Sequence, residues 1–118
     1  MGEKYKLTKG LCGVIRGALP SGGISSSAAL IICFMKALSK VNDIELSDSE
    51  YIYLSKKAEN EYVGVSSGKL DQSCETLCRE GNILYMDSKD DTYRNIPASP
   101  KMKNFKIGIF FSGLERNL

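Results

Sequence analysis

Nine residues near the start of the chain combine two glycines with a run of hydroxyl side chains. Residues 20–28 read PSGGISSSA, and residues 28–35 continue as the apolar run AALIICFM. The first part is typical of a loop and the second of a buried helix. At a helix start the first N–H groups lack intrahelical partners and the helix dipole adds partial positive charge. The pattern predicts a phosphate-binding loop, with a single serine N-cap on a buried helix as the alternative.

Acidic residues in the segment 58–72 supply a second candidate for chemistry. Phosphoryl transfer from a nucleotide requires a site that holds the phosphates, holds Mg²⁺ and orients an acceptor hydroxyl. Ser27 and Glu59 offer oxygen ligands for Mg²⁺, and Asp71 can hold or accept the acceptor's proton. The alternatives are structural: Asp71 complements the dipole of a predicted helix, and Glu59 lies on a solvated helix face.

Composition excludes several other classes of function. The 118 residues correspond to one domain, and a net charge of +2, spread along the chain, argues against nucleic acid as a partner. Because the chain has no histidine, no Ser-His-Asp or Cys-His catalytic pair can form. The apolar run after Ser27 is too short to span a membrane, and no signal peptide is visible.

The four cysteines lack the spacing of a zinc site. We interpret them as small buried hydrophobic residues, and reduced thiols suit a cytoplasmic protein. They are Cys12, Cys33, Cys74 and Cys78.

The elements that must position these residues follow from periodicity, glycines and caps. The predicted order is a strand over 11–19, helices over 25–40, 47–62 and 69–79, and strands over 83–86 and 106–111, with turns over 87–100. The first helix is apolar nearly all round and is expected to be buried on most sides. Ser47 and Glu50 form a capping box for the second, and Gly64 ends it.

The third helix has a predicted apolar stripe of Leu70, Cys74, Leu77 and Cys78, with Gly81 as its C-cap. Strands and helices are not strictly alternating, so the sequence predicts an α+β fold. Both ends of the chain are abrupt, which predicts a piece of a longer protein.

These motifs resemble a known family of kinases. Residues 20–28 resemble the second motif of the GHMP superfamily, which contains galactokinase, homoserine kinase, mevalonate kinase and phosphomevalonate kinase. Residues 58–64 and 68–72 resemble the galactokinase branch, and residues 82–87 and 111–118 continue the likeness. The segment 59–72 is also similar to plant-type galacturonate kinases.

The resemblance implies ATP- and Mg²⁺-dependent phosphorylation of a sugar's anomeric hydroxyl, with Asp71 as the catalytic residue. It places Ser27 and Glu59 at the family's Mg²⁺ ligands and Gly68, with Asp71, beside the sugar. It implies a fold like the second domain of ribosomal protein S5, of which this chain is an incomplete, central part. The residues that it assigns to the nucleotide phosphates are Gly22, Gly23, Ile24, Ser25, Ser26 and Ser27.

Several departures from the family pattern leave the function partly open. The glycine run is one residue shorter, Ile24 replaces a leucine, and Lys69 replaces an apolar residue. The family's N-terminal sugar-binding motif and C-terminal glycine-rich motif are not in this sequence, so the family's sugar-recognising residues cannot be carried over. The choice between galactose and a relative such as galacturonate therefore stays open. The isolated chain is expected to be inactive and to self-associate through exposed strand edges. The alternatives are a catalytically inactive sugar and nucleotide sensor, and a plain structural domain.

Overall fold

The computed structural model describes residues 1–2, 4–17, 24–102, 106, 108–110 and 113. These residues form helices and a small antiparallel sheet, which is compatible with the predicted α+β class. The elements are α1 (Ser26–Val41), α2 (Asp48–Ala58), a π-helix (Glu59–Val63), α3 (Leu70–Leu77), β1 (Asn82–Asp87), β2 (Thr92–Pro97) and a 3-10 turn (Pro100–Met102). The chain divides into two compact units, Met1–Thr76 and Leu77–Asn117.

Helix α1 confirms the predicted helix but not its predicted burial. Its buried residues, Ala28, Ile32, Met35 and Ser39, recur every three or four positions and therefore lie on one face. Leu30 and Phe34, in contrast, are each 40% exposed. Within the first unit, α2 and the π-helix pack against α1. These two neighbours cover one face of α1, so the other faces stay exposed.

Helix α2 begins at the predicted capping box. The backbone N–H of Glu50 donates to Ser47 Oγ at 3.3 Å, and the backbone N–H of Ser47 donates to Glu50 Oε2 at 3.0 Å. Both donors would otherwise lack an intrahelical partner, so the pair fixes the start of the helix. Gly64, with a φ of 82°, ends the π-helix that continues α2, which confirms the predicted stop.

Helix α3 is shorter than predicted, and its buried face differs from the predicted one. Leu70 is 63% exposed and Cys78 is exposed, whereas Gln72, Ser73 and Thr76 are buried. The predicted apolar stripe is confirmed at Leu77, which is buried, and Cys74 is half-buried, so the prediction was wrong at Leu70 and Cys78. The other buried residues of α3 are polar, so its covered face is not the apolar one. Gly81 was also wrong as a C-cap, since α3 ends at Leu77 and Gly81 lies in the turn before β1.

The second unit contains the β-hairpin of β1 and β2. Strand β1 confirms the predicted strand, whereas β2 occupies a segment predicted as turns. Its ladder with β1 runs from Asn82 opposite Pro97 to Asp87 opposite Thr92. Such cross-strand pairing stabilises a strand whose own sequence is polar, and the guanidinium of Arg94 lies 5.0 Å from the ring centre of Tyr85 opposite it.

Two predicted strands are not seen in the described residues. Residues 11–17 have no regular structure, and Val14 is 96% exposed; residues 18 and 19 lie outside the described part. Lys106 and residues 108–110 are also outside any strand, and residues 107 and 111 are not described. Alternating apolar residues create a strand only where a neighbour accepts the backbone hydrogen bonds, and the described residues provide none there.

The cysteines are less buried than predicted. All four are free thiols; Cys12, Cys33 and Cys78 are exposed and Cys74 is half-buried. We expected them to be buried because apolar residues surround them in the sequence, but most of them lie at exposed positions. Among the described helices, none has both the length and the apolar character required to cross a membrane.

Candidate functional site

The start of α1 leaves backbone donors without a side-chain cap. Its N-cap, Ser25, has a left-handed φ of 49° and its side chain makes no capping hydrogen bond. Ser26 and Ser27 follow as exposed residues, and the first turn carries no acidic side chain. The first N–H groups of a helix have no intrahelical acceptors, so this end can bind an anion.

The other residues predicted for the phosphate loop lie just before this helix start. Ile24 is 47% exposed and precedes the N-cap directly. Gly22 and Gly23 lie outside the described residues.

Glu59 occupies the point where α2 passes into the π-helix. Its side chain is 3% exposed, so the alternative of a solvated helix face is wrong. The backbone carbonyl of Glu59 accepts from the N–H groups of Gly64 at 3.0 Å and Val65 at 3.3 Å, which closes the wider π turn. Such single π turns within helices occur frequently at functional sites.

Three side chains from three segments donate hydrogen bonds to the buried carboxylate of Glu59. Ser27 Oγ, from the start of α1, donates to Oε1. Ser67 Oγ, from the loop before α3, lies 2.9 Å from Oε2, and Gln72 Nε2, from α3, donates to the same oxygen. Hydrogen-bond donors of this kind compensate a buried carboxylate for its lost hydration. The cluster therefore ties the starts of α1 and α3 to the end of α2.

The loop that carries Ser67 is also held by Asn60. The Oδ1 of Asn60 lies 3.2 Å from Ser67 Oγ and accepts from the Ser67 backbone N–H at 3.3 Å. A serine hydroxyl has one hydrogen, and the shorter contact is the one to Glu59. Gly68, next in the loop, is exposed, and an added Cβ would meet no protein atom within 4 Å.

Asp71 lies in the first turn of α3, as predicted. Its side chain is half-buried, and the structure gives it no hydrogen bond or ion pair with any described residue. The residue that follows it, Gln72, is fully buried against Glu59. Successive helix residues point about 100° apart, so one turn of α3 can present one side chain to the cluster and another away from it.

The structure brings together some of the predicted residues and adds two more. Ser27 and Glu59 are in direct contact, while Gly68 and Asp71 each adjoin a residue that bonds to Glu59. Ser67 and Gln72 received no role from sequence. Gln72 closes the motif at 68–72, which was the one signal that could have drawn attention to it.

The donor set of Ser27 and Glu59 fits Mg²⁺. Hydroxyl and carboxylate are hard oxygen donors, and Mg²⁺ in nucleotide sites commonly takes one or two carboxylates, with phosphate oxygens and water completing its coordination. Among the described residues there is no group of three or more His, Cys, Asp or Glu side chains placed to hold a metal ion. The protein thus offers one carboxylate and one hydroxyl here rather than a complete metal cage.

An open groove of about 320 Å³ also lies in the first unit. Its lining is Met1, Lys4, Tyr53, Leu54, Lys57, Ala58 and Tyr62. Because none of these residues belongs to the cluster around Glu59 or to the predicted phosphate loop, the groove adds no support to the candidate site.

Comparison with known proteins identifies relatives over nearly the whole chain. The family model described as "GHMP kinases N terminal domain" matches residues 1–79, which include α1, α2 and α3. A galacturonokinase from Arabidopsis thaliana is 37% identical over 118 residues, and a galactokinase from Pyrococcus furiosus is 35% identical over 117. Each alignment covers 98% of this chain but only 28% and 32% of the relative. A galactokinase from Thermococcus kodakarensis is 34% identical over 110 residues, 92% of this chain and 31% of the relative.

Proposed function

This chain belongs to the GHMP kinase family, and on that premise we propose that it is the central part of the N-terminal domain of a longer sugar-1-kinase. The kinase transfers a phosphoryl group from ATP to the anomeric hydroxyl of galactose or galacturonate. Relatives with both names support this substrate class, and the chain spans less than a third of the length of the two most similar of them named above. The observation that carries the proposal is the contact of Ser27 with Glu59, which joins the anion-binding helix start to a metal-type ligand.

In this proposal the start of α1 binds the triphosphate of ATP. The free N–H groups, the dipole of a 16-residue helix and the exposed hydroxyls of Ser26 and Ser27 all favour negative charge there. Gly22, Gly23, Ile24 and Ser25 complete the loop, where glycine lets the backbone approach the phosphates closely.

Ser27 Oγ and the carboxylate of Glu59 would hold Mg²⁺. The bound cation supplies charge neutralisation at the phosphate oxygens, which is the main electrostatic requirement of phosphoryl transfer. The burial of Glu59 supports this role, since a carboxylate that only needed solvation would remain at the surface.

Asp71 would hold the sugar's anomeric hydroxyl in line and accept its proton. The lack of a hydrogen bond from any described residue to Asp71 leaves its carboxylate oxygens available for a substrate hydroxyl. Gly68 would border the sugar, since its exposed backbone has no side chain in the way. The proposal includes the S5-like fold of the family and, from the four free thiols, a cytoplasmic location.

The relatives named above include both a galacturonokinase and galactokinases, so they do not decide which sugar this protein phosphorylates. A uronate carboxylate requires a cationic partner, which galactose does not. Lys69, half-buried beside Gly68, is a residue to test in that role. Steady-state kinetics of the full-length protein with galactose and with galacturonate decide between the two, because the true substrate has the higher kcat/KM.

The decisive experiment is Asp71→Asn in the full-length protein. We expect sugar-dependent ADP production to fall by about 100-fold or more, because a positioned general base contributes 10²–10⁴-fold. Nucleotide affinity should stay near that of the wild type. Glu75→Gln, at an exposed position on the same helix, is the matched control and should retain turnover. Undiminished turnover by Asp71→Asn would remove Asp71 from the mechanism.

The wild type could instead bind ATP and sugar but phosphorylate neither galactose nor galacturonate. That result would contradict the kinase proposal and favour the catalytically inactive sensor.

A further inference from the structure

The buried amide of Gln72 has a single described partner. Its side chain is fully buried, and Nε2 donates to Glu59 Oε2, while Oε1 is buried without a hydrogen bond from any described residue. An apolar side chain of similar size would fill the same space with no unsatisfied oxygen. A buried glutamine therefore costs desolvation energy here that its packing does not recover, and the hydrogen bond to Glu59 offsets this cost.

The orientation of the amide follows from the charge that it faces. If Oε1 pointed to Glu59, two oxygen acceptors would lie against each other, which is repulsive. With Nε2 facing the carboxylate, the contact is a charge-assisted hydrogen bond, one of the stronger kinds in proteins. Glu59 thus fixes which end of the Gln72 amide faces it.

The two carboxylate oxygens of Glu59 differ in how many more hydrogen bonds or ligands they can accept. A carboxylate oxygen accepts about two hydrogen bonds. Oε2 already accepts from Ser67 and Gln72, whereas Oε1 accepts from Ser27 alone among the described residues. Ser27 is exposed, while Gln72 is fully buried and Ser67 half-buried. The oxygen with spare capacity is therefore the one that contacts the exposed residue, Ser27.

We propose that Gln72 and Ser67 are positioning residues that hold Glu59 Oε2, so that Oε1, beside Ser27 Oγ, is the oxygen that meets the nucleotide-bound cation. This inference rests on the proposed function. In this proposal the first turn of α3 carries two functional residues: Asp71, which contacts the sugar, and Gln72, which positions the metal ligand Glu59. Partners of this kind affect metal affinity without contacting the metal.

The test measures binding of Mn²⁺ to the full-length protein in the presence of ADP, by electron paramagnetic resonance. We expect Gln72→Met, which keeps the volume and removes the donor, to weaken Mn²⁺ binding by about 10-fold or more, in line with other outer-shell partners. ADP affinity without metal should not change. Ser73→Ala, a buried polar position on the same helix, should bind Mn²⁺ like the wild type.

A second variant covers the case in which Gln72→Met does not fold. Ser67→Ala removes the other donor to Oε2 from a half-buried loop position and should weaken Mn²⁺ binding in the same direction. Ser67→Thr, which keeps the hydroxyl, should restore it. In the Glu59→Gln background, Gln72→Met should produce no further loss, because the two residues act through one carboxylate.

The outcomes separate this inference from the proposed function. If the wild type phosphorylates sugar and both donor variants bind Mn²⁺ as tightly as the wild type, then Gln72 and Ser67 are structural and the inference is overturned alone. If the wild type neither binds Mn²⁺ with ADP nor phosphorylates sugar, the proposed function fails and takes the inference with it.

Discussion

Ser27, at the start of α1, donates a hydrogen bond to Glu59, 32 residues later, where α2 becomes the π-helix. This contact joins a helix end suited to anions with a buried carboxylate, and each needs the other. Without Ser27, one oxygen of a buried charge would have no donor among the described residues. Without Glu59, the hydroxyl of Ser27 would lose the acceptor of this hydrogen bond. This pairing is the observation on which the proposed site for a cation and a phosphate rests.

Ser27→Ala should therefore affect both stability and metal use. We expect a loss of about 1–3 kcal/mol in the free energy of unfolding, because a buried acceptor loses its donor. In the full-length protein the Mg²⁺ concentration for half-maximal turnover should rise by about 10-fold or more. Urea unfolding and a Mg²⁺ titration of the rate measure the two effects.

Two further variants make the Ser27 result specific. Ser27→Thr keeps the hydroxyl and should stay close to the wild type in both measurements. Ser88→Ala, at an exposed turn of the second unit, removes a serine with no role in the site and should change neither. A loss of stability without any change in the Mg²⁺ requirement would contradict the ligand role of Ser27.

Elements whose signals are local could be predicted from sequence. The bounds of α1, the capping box of Ser47 and Glu50, and the stop at Gly64 depend on neighbouring residues alone. Strand β1 was also found, while β2 was missed because its stability comes from pairing with β1 rather than from its own composition.

The candidate site shows the same division. Sequence chose Ser27, Glu59 and Asp71 as residue types, but the burial of Glu59 depends on which helix face is covered by other elements. Gln72 and Ser67 could not be assigned a role, because a buried glutamine in α3 contradicts the apolar stripe that periodicity favoured. Hydrophobic periodicity does not predict buried polar side chains such as Gln72, and exceptions of this kind are expected at functional or strained sites.

Gly68→Ala is predicted to separate folding from sugar binding. The added Cβ meets no protein atom within 4 Å, and Gly68 is not among the glycines with positive φ, so we expect stability to be unchanged or to rise slightly. If the sugar lies against this backbone, its KM should rise by about 10-fold, since a methyl group in a tight contact costs about 1–3 kcal/mol. Thermal unfolding and sugar kinetics of the full-length protein measure these effects.

Gly13→Ala is the matched control for Gly68→Ala. Gly13 is exposed and equally open, and it lies outside the proposed site. It should leave the sugar KM at the wild-type value. An unchanged KM in Gly68→Ala as well would mean that the sugar does not approach this loop.

The β-hairpin is predicted to drive self-association of the 118-residue chain. Within the described residues β1 and β2 pair only with each other, and each exposes large apolar side chains, including Ile83 and Ile96, which are 46% and 38% exposed. Unpaired edges of this kind can add a strand from a second molecule. Sedimentation velocity over a range of concentrations should therefore detect dimers or larger species.

A lysine on the hairpin should weaken this association. Ile83→Lys adds a charge that a second strand would have to desolvate, which is how natural edge strands avoid pairing. Tyr53→Lys, at a 65% exposed position of α2, adds the same charge to a residue that is not part of the hairpin and should not alter the sedimentation profile. A wild-type chain that remains monomeric at all concentrations would rule the prediction out.

The stability of the first unit should decrease in acid because of Glu50. Lys4 Nζ lies 2.7 Å from Glu50 Oε1, and the hydroxyl of Tyr5 donates to the same oxygen at 2.5 Å. These hydrogen bonds, with two more from the backbone N–H and the hydroxyl of Ser47, lower the pKa of Glu50 from 4.5 to about 2. A carboxyl group with a lowered pKa stabilises the fold fully above its unfolded value, and this stabilisation is lost as the pH falls from 4.5 towards 2.

The partner Lys4 gives the opposite dependence at high pH. The hydrogen bond to Glu50 raises the pKa of Lys4 above 10.5, so its contribution is present below 10.5 and is lost as the pH rises beyond the folded value. Between these two limits both groups stay charged, so the pair should contribute a constant amount of stability and neither group should make stability depend on pH.

Urea unfolding of the 118-residue chain at a series of pH values measures the acid limb. Glu50→Gln should be less stable than the wild type above pH 4.5, and the difference should shrink as the pH falls towards 2, where the wild-type carboxyl is itself protonated. Lys4→Met should reduce the same slope, because it removes the largest cause of the lowered pKa. Glu45→Gln, at an exposed position, should keep the wild-type slope. A Glu50→Gln variant that retains the full acid dependence would show that another carboxyl group controls it.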